Sequence, residues 1–127
     1  MRTGYTVALS LVAGFAVGAT AISPLRAQNR TPAYVITDFA EITNPAGFAE
    51  AAKGLPASLA AGGGRLVARS DTLIELDGSA PKRFAIFAFD NVEKAKAWYS
   101  SDVGRQSNEV RIKNTKSRSF IIEGTTN

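Results

Sequence analysis

Two different periods of hydrophobic and polar positions alternate along the chain and predict strands and helices in turn. Runs rich in β-branched and aromatic residues indicate strands at Ala33–Phe39, Arg65–Ser70, Lys82–Phe89 and Arg118–Glu123. Between these runs, apolar residues recur at spacings of three to four, which is the period of an amphipathic helix. The order strand, helix, strand, strand, helix, strand predicts an α+β sandwich. Thr72–Leu76 is predicted as a further short strand that forms a tight hairpin with Arg65–Ser70.

The first helix has start and stop signals in the sequence. Asn44 suits the N-cap position, and Pro45 suits the first helical position. Pro56 lies inside the helical pattern and predicts a kink, or a division into two helices after Gly54. The glycine run Gly62–Gly64 ends the helix and allows the backbone to enter the next strand.

The second helix is predicted to begin at Asp90 as its N-cap, with Glu93 completing a capping box. Trp98 lies beside the apolar face of this helix. The following segment, Asp102–Ile112, has a weaker pattern and is either a short third helix or an irregular turn.

Two of the predicted strands are apolar on both faces. In the first, Tyr34 and Ile36 point to one side of the sheet, and Val35 points to the other. In the strand Lys82–Phe89, the two alternating sets are Phe84, Ile86, Ala88 and Ala85, Phe87, Phe89. Two helices can cover only one face of a four-stranded sheet, so the other face would expose an unusually large apolar patch. A second copy of the same sheet is the simplest cover, and we expect a homodimer.

Residues 1–27 have the layout of a secretory signal. Arg2 provides a short positive region, Tyr5–Ile22 contains no charge, and Pro24 ends any helix that begins there. Cleavage after Ala21 or Ala27 would leave a linker at 28–32, a domain at 33–124 and a tail at 125–127. We expect a periplasmic or secreted protein that has no membrane attachment after cleavage. The alternative is an uncleaved helix that anchors the chain to the inner membrane.

The amino-acid composition excludes several kinds of catalytic and metal-binding site. The chain contains no histidine and no cysteine, which removes imidazole bases, thiol nucleophiles, disulfides and the common transition-metal ligands. We therefore expect no metal and no cofactor. Once Arg2 and Arg26 are set aside, the 15 basic residues of the chain fall to 13, against 11 acidic ones. The basic stretch Arg105–Arg118 has no interleaved aromatic residue, so we expect a solvated face and no nucleic-acid partner.

Three arginines are the strongest candidates for binding a ligand. Arg65, Arg83 and Arg118 lie at or near the beginnings of three different strands. Guanidinium groups bind carboxylates through two parallel hydrogen bonds, so their convergence would create a cleft for an organic acid. Tyr34 and Trp98 on adjacent elements would border this cleft. The competing interpretation is that the three arginines only form structural ion pairs.

Four carboxylates are weaker candidates for acid–base catalysis. A carboxyl group can transfer protons near neutral pH when burial raises its pKa. The candidates are Asp38, Glu75, Asp90 and Glu123. The alternative for each is a cap, a turn or a solvent-exposed position. The sequence therefore leaves open whether the protein is an enzyme.

The chain resembles a bacterial family of domains of unknown function, number thirteen-thirty, over residues 33–124. The matching pieces are Ala33–Val35, Asn44-Pro45, Gly63–Arg65, Asp77-Gly78, Ala80–Arg83, Ala97–Ser101 and Arg118–Gly124. After Ser101 the family tends to place an aromatic residue, where this chain has Asp102.

The resemblance implies a ferredoxin-like βαββαβ fold with an antiparallel sheet, of the type found in dimeric α/β-barrels. That superfamily includes cofactor-independent oxygenases, haem-handling enzymes and muconolactone isomerase-like enzymes, although a histidine ligand for haem is impossible here. Two functions stay open. The first is a non-catalytic dimer that binds a small organic molecule, such as a carboxylate. The second is a cofactor-independent isomerase or oxygenase that acts on a small acid or aromatic compound.

Overall fold

The computed structural model describes residues 31–126, and they form one antiparallel sheet with four helices on it. The strands are β1 Ala33–Ile42, β2 Arg65–Ser70, β3 Arg83–Phe89 and β4 Thr115–Glu123. The helices are α1 Pro45–Ala52, α2 Leu55–Ala61, α3 Val92–Ser100 and α4 Asp102–Asn114. The strand order across the sheet is β2-β3-β1-β4, and every neighbouring pair is antiparallel. This topology confirms the predicted ferredoxin-like fold.

The first helical segment divides as the sequence predicts. Asn44 is the N-cap of α1, and its side-chain oxygen accepts a hydrogen bond of 3.2 Å from the amide of Gly47. The chain breaks between α1 and α2, and Pro56 occupies the first turn of α2, where the missing proline N–H costs nothing. Gly63 follows with φ of 77°, a left-handed conformation that turns the chain into β2.

The second helical segment differs from the prediction at its start. The N-cap of α3 is Asn91 rather than Asp90, because the Asn91 side chain accepts a 2.9 Å hydrogen bond from the amide of Lys94. Asp90 instead pairs with the Lys94 ammonium group at 3.3 Å. The uncertain segment after Ser101 is a full helix, α4, capped by the Ser101 side chain.

The close junction of α3 and α4 depends on a glycine. Gly104 is buried in the first turn of α4, and a Cβ atom there would collide with the carbonyl oxygen of Trp98. Ser101 fixes the same corner, because its hydroxyl donates to the Trp98 carbonyl at 2.6 Å. The sequence Trp98–Gly104 therefore sets the angle at which α4 passes over the sheet.

The predicted strand at Thr72–Leu76 is wrong. β2 pairs directly with β3, and residues 72–76 form an extended loop without strand pairing. Ile74 and Leu76 are 88% and 91% exposed, so nothing in the described chain packs on their alternating pattern. The Ser70 hydroxyl accepts a hydrogen bond from the Thr72 amide, which ends β2 in a local turn.

The sheet has one face covered by helices and one open face, as its two-sided apolar pattern predicts. Val35 on β1 pairs with Phe87 on β3 and Ile121 on β4, and this set faces the helices. The buried core on that side consists of Ala33, Val35, Phe39, Leu59, Ala85, Phe87, Phe89, Ala95 and Trp98. The open face carries Tyr34, Ile36, Phe84, Ile86, Phe120 and Ile122. Among residues 31–126, no helix is long and apolar enough to cross a membrane.

Candidate anion-binding cavity

A cavity lies between the helix-covered face of the sheet and the helices. The cavity has a volume of about 50 Å³, several times the ~10–15 Å³ that one water molecule needs. Its apolar wall is formed by Phe39, Phe48, Ala51, Ala52, Leu55, Ala85, Phe87 and Trp98. Its polar wall is formed by Thr37, Arg69, Arg83, Ser107, Asn108 and Arg111. Three guanidinium groups therefore line a small and otherwise largely apolar space.

Arg83 is the most unusual residue of the cavity. It is the first residue of β3 and is paired in register with Phe39, so its side chain lies on the helix-covered face. Its guanidinium carbon lies 5.5 Å from the centre of the Phe48 ring, within the range of a cation–π contact. The Arg83 Nε atom is fully buried and has no hydrogen-bond partner in residues 31–126. A buried donor without an acceptor is rare, because leaving it unpaired costs about 1–3 kcal/mol.

The electrostatic surroundings of Arg83 also disfavour its charged form. Burial lowers the pKa of the Arg83 guanidinium, and the like charge of Arg69 lowers it further. Asp71 at the end of β2 opposes these effects and raises the pKa. Since an arginine remains protonated at any physiological pH, the cavity holds a net positive charge that an anion would offset.

Arg111 closes the other side of the cavity and is held in a fixed position. It is 9% exposed, and its Nη1 atom donates to the Ser117 hydroxyl at 2.6 Å. Its Nε and Nη2 atoms lie 3.4 Å from the side-chain oxygen of Asn108. Burial lowers the pKa of Arg111, while the nearby Tyr99 raises it. Unlike Arg83, this arginine has most of its hydrogen bonds satisfied by the protein.

Trp98 forms the floor of the cavity and joins it to the core. Its ring packs against Phe87 at 6.1 Å and Phe89 at 5.5 Å between ring centres. Its indole N–H donates to the Ser58 hydroxyl at 3.2 Å, and Ser58 donates to the Val103 carbonyl. Both polar atoms of the Trp98–Ser58 pair are therefore satisfied, and the indole is held in one orientation.

The structure brings together two of the five residues predicted from the sequence. Arg83 and Trp98 line the same cavity. Arg118 lies on the open face and donates to the carboxylate of Asp38 at 3.0 and 3.2 Å, so it forms the ion pair of the competing interpretation. Tyr34 is also on the open face, and Arg65 is exposed at the start of the edge strand β2. The three predicted arginines thus do not converge in one cleft.

The four candidate carboxylates lie outside the cavity. Asp38 pairs with Arg118, and Asp90 pairs with Lys94. Glu75 accepts a hydrogen bond of 3.0 Å from the Ala80 amide and closes the loop between β2 and β3. Glu123 is exposed at the end of β4. Glu75 and Glu123 thus have the turn and solvent-exposed positions that were the alternatives to catalysis. Asp38 and Asp90 form ion pairs instead.

Sequence reasoning missed Arg69 and Arg111, which replace Arg65 and Arg118 in the cavity. Arg111 belongs to the stretch interpreted as a solvated basic face, yet it is buried. The missed signal is the helical spacing of Gly104, Asn108 and Arg111, which places small and polar residues on the inner face of α4. Arg69 could have been assigned only with knowledge of the bulge between Leu66 and Ala68, because that bulge shifts which residues of β2 face the helices.

No metal site is formed by clustered side chains of His, Cys, Asp or Glu within residues 31–126. The cavity lining agrees with this, since cationic guanidinium groups repel metal ions and attract anions. The group that best fits the unpaired Arg83 donor is a carboxylate or a similar oxyanion.

Comparisons with known proteins agree with the topology. A family model described as a domain of unknown function, DUF1330, matches residues 32–125. A protein of unknown function from Rhodopseudomonas palustris has a similar structure, with a TM-score of 0.60 and 14% sequence identity over 85% of this chain and 94% of its own. SnoaB, a cofactor-independent oxygenase from Streptomyces nogalater, has a TM-score of 0.55 and 12% identity over 76% of this chain and 96% of its own. No curated protein matches the chain by sequence.

Proposed function

As this chain belongs to the DUF1330 family, which is defined by sequence and not by an activity, we propose a function from its cavity: it binds a small organic anion. The anionic group is a carboxylate or an equivalent oxyanion bound by Arg83. The remainder of the ligand is apolar and lies against Phe48, Phe87 and Trp98. The protein needs no metal for this role, because the arginines supply the positive charge.

The observation that carries this proposal is the buried Arg83 Nε atom without an acceptor. Folding brings this donor out of water, and the protein supplies nothing to compensate it. A bound carboxylate would accept from Nε and from a neighbouring Nη atom in the two-bond arrangement that guanidinium groups favour. Such a ligand would also offset the repulsion between the like charges of Arg69 and Arg83.

The apolar wall selects the rest of the ligand. Phe48, Phe87 and Trp98 present ring faces and edges, and the cavity is small. Aromatic acids such as benzoate combine a planar apolar body with one carboxylate and match the chemistry of both walls. Part of the ring would extend out of the cavity, because a cavity that encloses benzene has a volume of about 150 Å³. Compounds with several hydroxyl groups would leave polar atoms unpaired against the aromatic wall.

The alternative function, a cofactor-independent isomerase or oxygenase, receives less support from the cavity. The likeness to SnoaB concerns the fold, and it leaves the reaction of this chain open. Such chemistry commonly starts with removal of a substrate proton by a general base. The cavity-lining residues of the described chain include no carboxylate and no imidazole. A binding role therefore accounts for more of the site than a catalytic one.

A titration with three similar ligands tests the proposal. Trp98 is the single tryptophan of the chain and lines the cavity, so its fluorescence reports occupancy. Benzoate should bind about tenfold or more tightly than neutral benzyl alcohol, because only benzoate offers a charged acceptor. Benzylamine, which is a cation, should show no saturable binding. Equal binding of all three compounds, or of none, would refute the proposed function.

We also propose that the chain is a homodimer that joins through the open face of the sheet. Its apolar residues are only partly covered in one protomer: Phe120 and Ile122 are 46% and 50% exposed. Ile36 lies between Ile86 and Phe120 in the register, so these side chains form a continuous apolar strip. Burial of this strip against its copy is the economical way to remove it from water.

Phe120→Asp should convert the dimer into a monomer, because two carboxylates would meet at an apolar interface. Light scattering at micromolar concentration should give twice the chain mass for the wild type and the single chain mass for the variant. Lys96→Asp provides the control, since Lys96 is exposed on α3, which lies on the other side of the sheet from the open face. A wild-type chain that is monomeric, or a Phe120→Asp variant that stays dimeric, would contradict this interface.

Export remains a proposal based on the sequence, since residues 1–27 lie outside the described residues. We expect the protein in the periplasm or the medium, cleaved after Ala21 or Ala27. N-terminal sequencing of the protein recovered from the envelope fraction should give Ile22 or Gln28 as the first residue. Arg2→Glu should reduce the exported fraction, because the positive n-region is lost. Intact chains that begin at Met1 in the soluble cytoplasm would contradict export.

A further inference from the structure

A second pocket adjoins the cavity at the edge of the sheet. It lies between α2 and the edge strand β2 and has a volume of about 310 Å³. We call it the edge groove, and its lining residues are Leu55, Pro56, Leu59, Gly64, Arg65, Leu66 and Arg69. The groove is predominantly apolar, with arginines at its margin.

The edge groove adjoins the cavity. Leu55 and Arg69 line both spaces. Arg69 pairs in register with Ala85, which is buried under the helices, and so it stands on the same face of the sheet as Arg83. A molecule anchored at Arg83 would reach the edge groove by passing Leu55 and Arg69.

The character of the lining residues changes from the cavity to the edge groove. The inner end contains the unpaired Arg83 donor and an aromatic wall. The outer part contains aliphatic side chains, and Leu66 there is 45% exposed to water. A ligand that complements both parts has an anionic head and a flexible aliphatic tail. Such a tail would cover the part of Leu66 that residues 31–126 leave exposed.

We propose that the edge groove holds the apolar tail of the ligand, and that the protein prefers elongated monocarboxylates to compact ones. This inference rests on the proposed function, because the head is placed at Arg83. It adds a second subsite with a separate contribution to affinity. Arg65, which sequence analysis placed at the site, lies at the outer margin of the groove.

A chain-length series on the full-length protein tests this inference. The probes are butyrate, hexanoate, octanoate and octanol. Their binding is measured by Trp98 fluorescence and by calorimetry. Each added methylene should tighten binding by about fourfold, which corresponds to about 0.8 kcal/mol per buried CH₂ group. Octanol should bind more weakly than octanoate because it lacks the anionic head.

Two neighbouring variants locate the tail. Leu66→Gln should weaken octanoate binding about fivefold or more, from the loss of roughly one side chain of apolar contact, and should leave butyrate nearly unchanged. Val67→Gln is the matched control, because Val67 is 49% exposed on the same strand and does not line the groove. Both substitutions are on the surface, so both variants should fold.

The outcomes separate this inference from the proposed function. Affinity that increases with chain length, together with a selective loss in Leu66→Gln, supports the groove. Binding of short and long acids with equal affinity, or equal losses in the two variants, would overturn the groove and leave the Arg83 site intact. Binding of no carboxylate at all would overturn both.

Discussion

Arg83→Met should abolish most of the binding of benzoate, with affinity reduced by about ten- to a hundredfold. That range corresponds to the loss of about 1.5–3 kcal/mol for hydrogen bonds to a charged group. Methionine preserves the length and apolar bulk of the side chain, and it removes only the guanidinium group. Titration of Trp98 fluorescence and calorimetry would both measure the change.

The same variant should lose affinity without losing stability. In the absence of ligand, Arg83→Met should melt at the same temperature as the wild type or above it, because it removes a buried donor that has no partner. Arg83→Lys should recover only part of the affinity, since lysine lacks the planar pair of donors. A variant that melts well below the wild type, or one that retains full affinity, would contradict the role assigned to Arg83.

Trp98→Ala should destabilise the protein by about 3–5 kcal/mol, which is a large part of the stability of a small domain. Trp98 is 2% exposed and contacts Phe87 and Phe89, so its removal leaves a cavity that these rings cannot fill. Its loss also leaves the Ser58 hydroxyl without one donor. Urea unfolding followed by circular dichroism would measure the change.

Tyr99→Ala is the matched control for that experiment. Tyr99 follows Trp98 in the chain but is 40% exposed, so its loss should cost no more than about 1 kcal/mol. Trp98→Phe should fall between the two, because it retains an aromatic ring and loses the hydrogen bond to Ser58. Equal destabilisation by Trp98→Ala and Tyr99→Ala would show that the core is not organised around the indole.

The topology of this protein could be predicted from its sequence because local signals agree with the final packing. Asn44 and Pro45 begin α1, Pro56 begins α2, and alternation in Ala33–Phe39 produces two apolar faces. The errors occurred where two nearby signals competed. Asp90 and Asn91 are both good N-caps, and the cap is Asn91, whose side chain accepts from the Lys94 amide while Asp90 pairs with the Lys94 ammonium group. The alternation of Thr72–Leu76 is of strand type, but these residues form no strand pairing, and within residues 31–126 β2 pairs with β3 only.

The composition of the site was harder to predict than the fold. An arginine near a strand start can point to either face of the sheet, and a shift of one residue exchanges them. Arg118 and Arg83 were both predicted near strand starts, yet the register places Arg118 opposite Asp38 on the open face and Arg83 opposite Phe39 under the helices. Arg111 was missed because a buried polar helix face has no hydrophobic stripe to reveal it.

The central claim is that an organic anion occupies the cavity with its charged group at Arg83. A crystal structure of the protein with 4-bromobenzoate tests it most directly, because anomalous scattering from bromine locates the ligand without ambiguity. We expect the bromine in the apolar part of the cavity, in contact with Phe48 or Trp98, and the carboxylate within hydrogen-bond distance of the Arg83 Nε atom. Bromine sites confined to the protein surface, with the cavity empty and the Arg83 donor still unpaired, would contradict the claim.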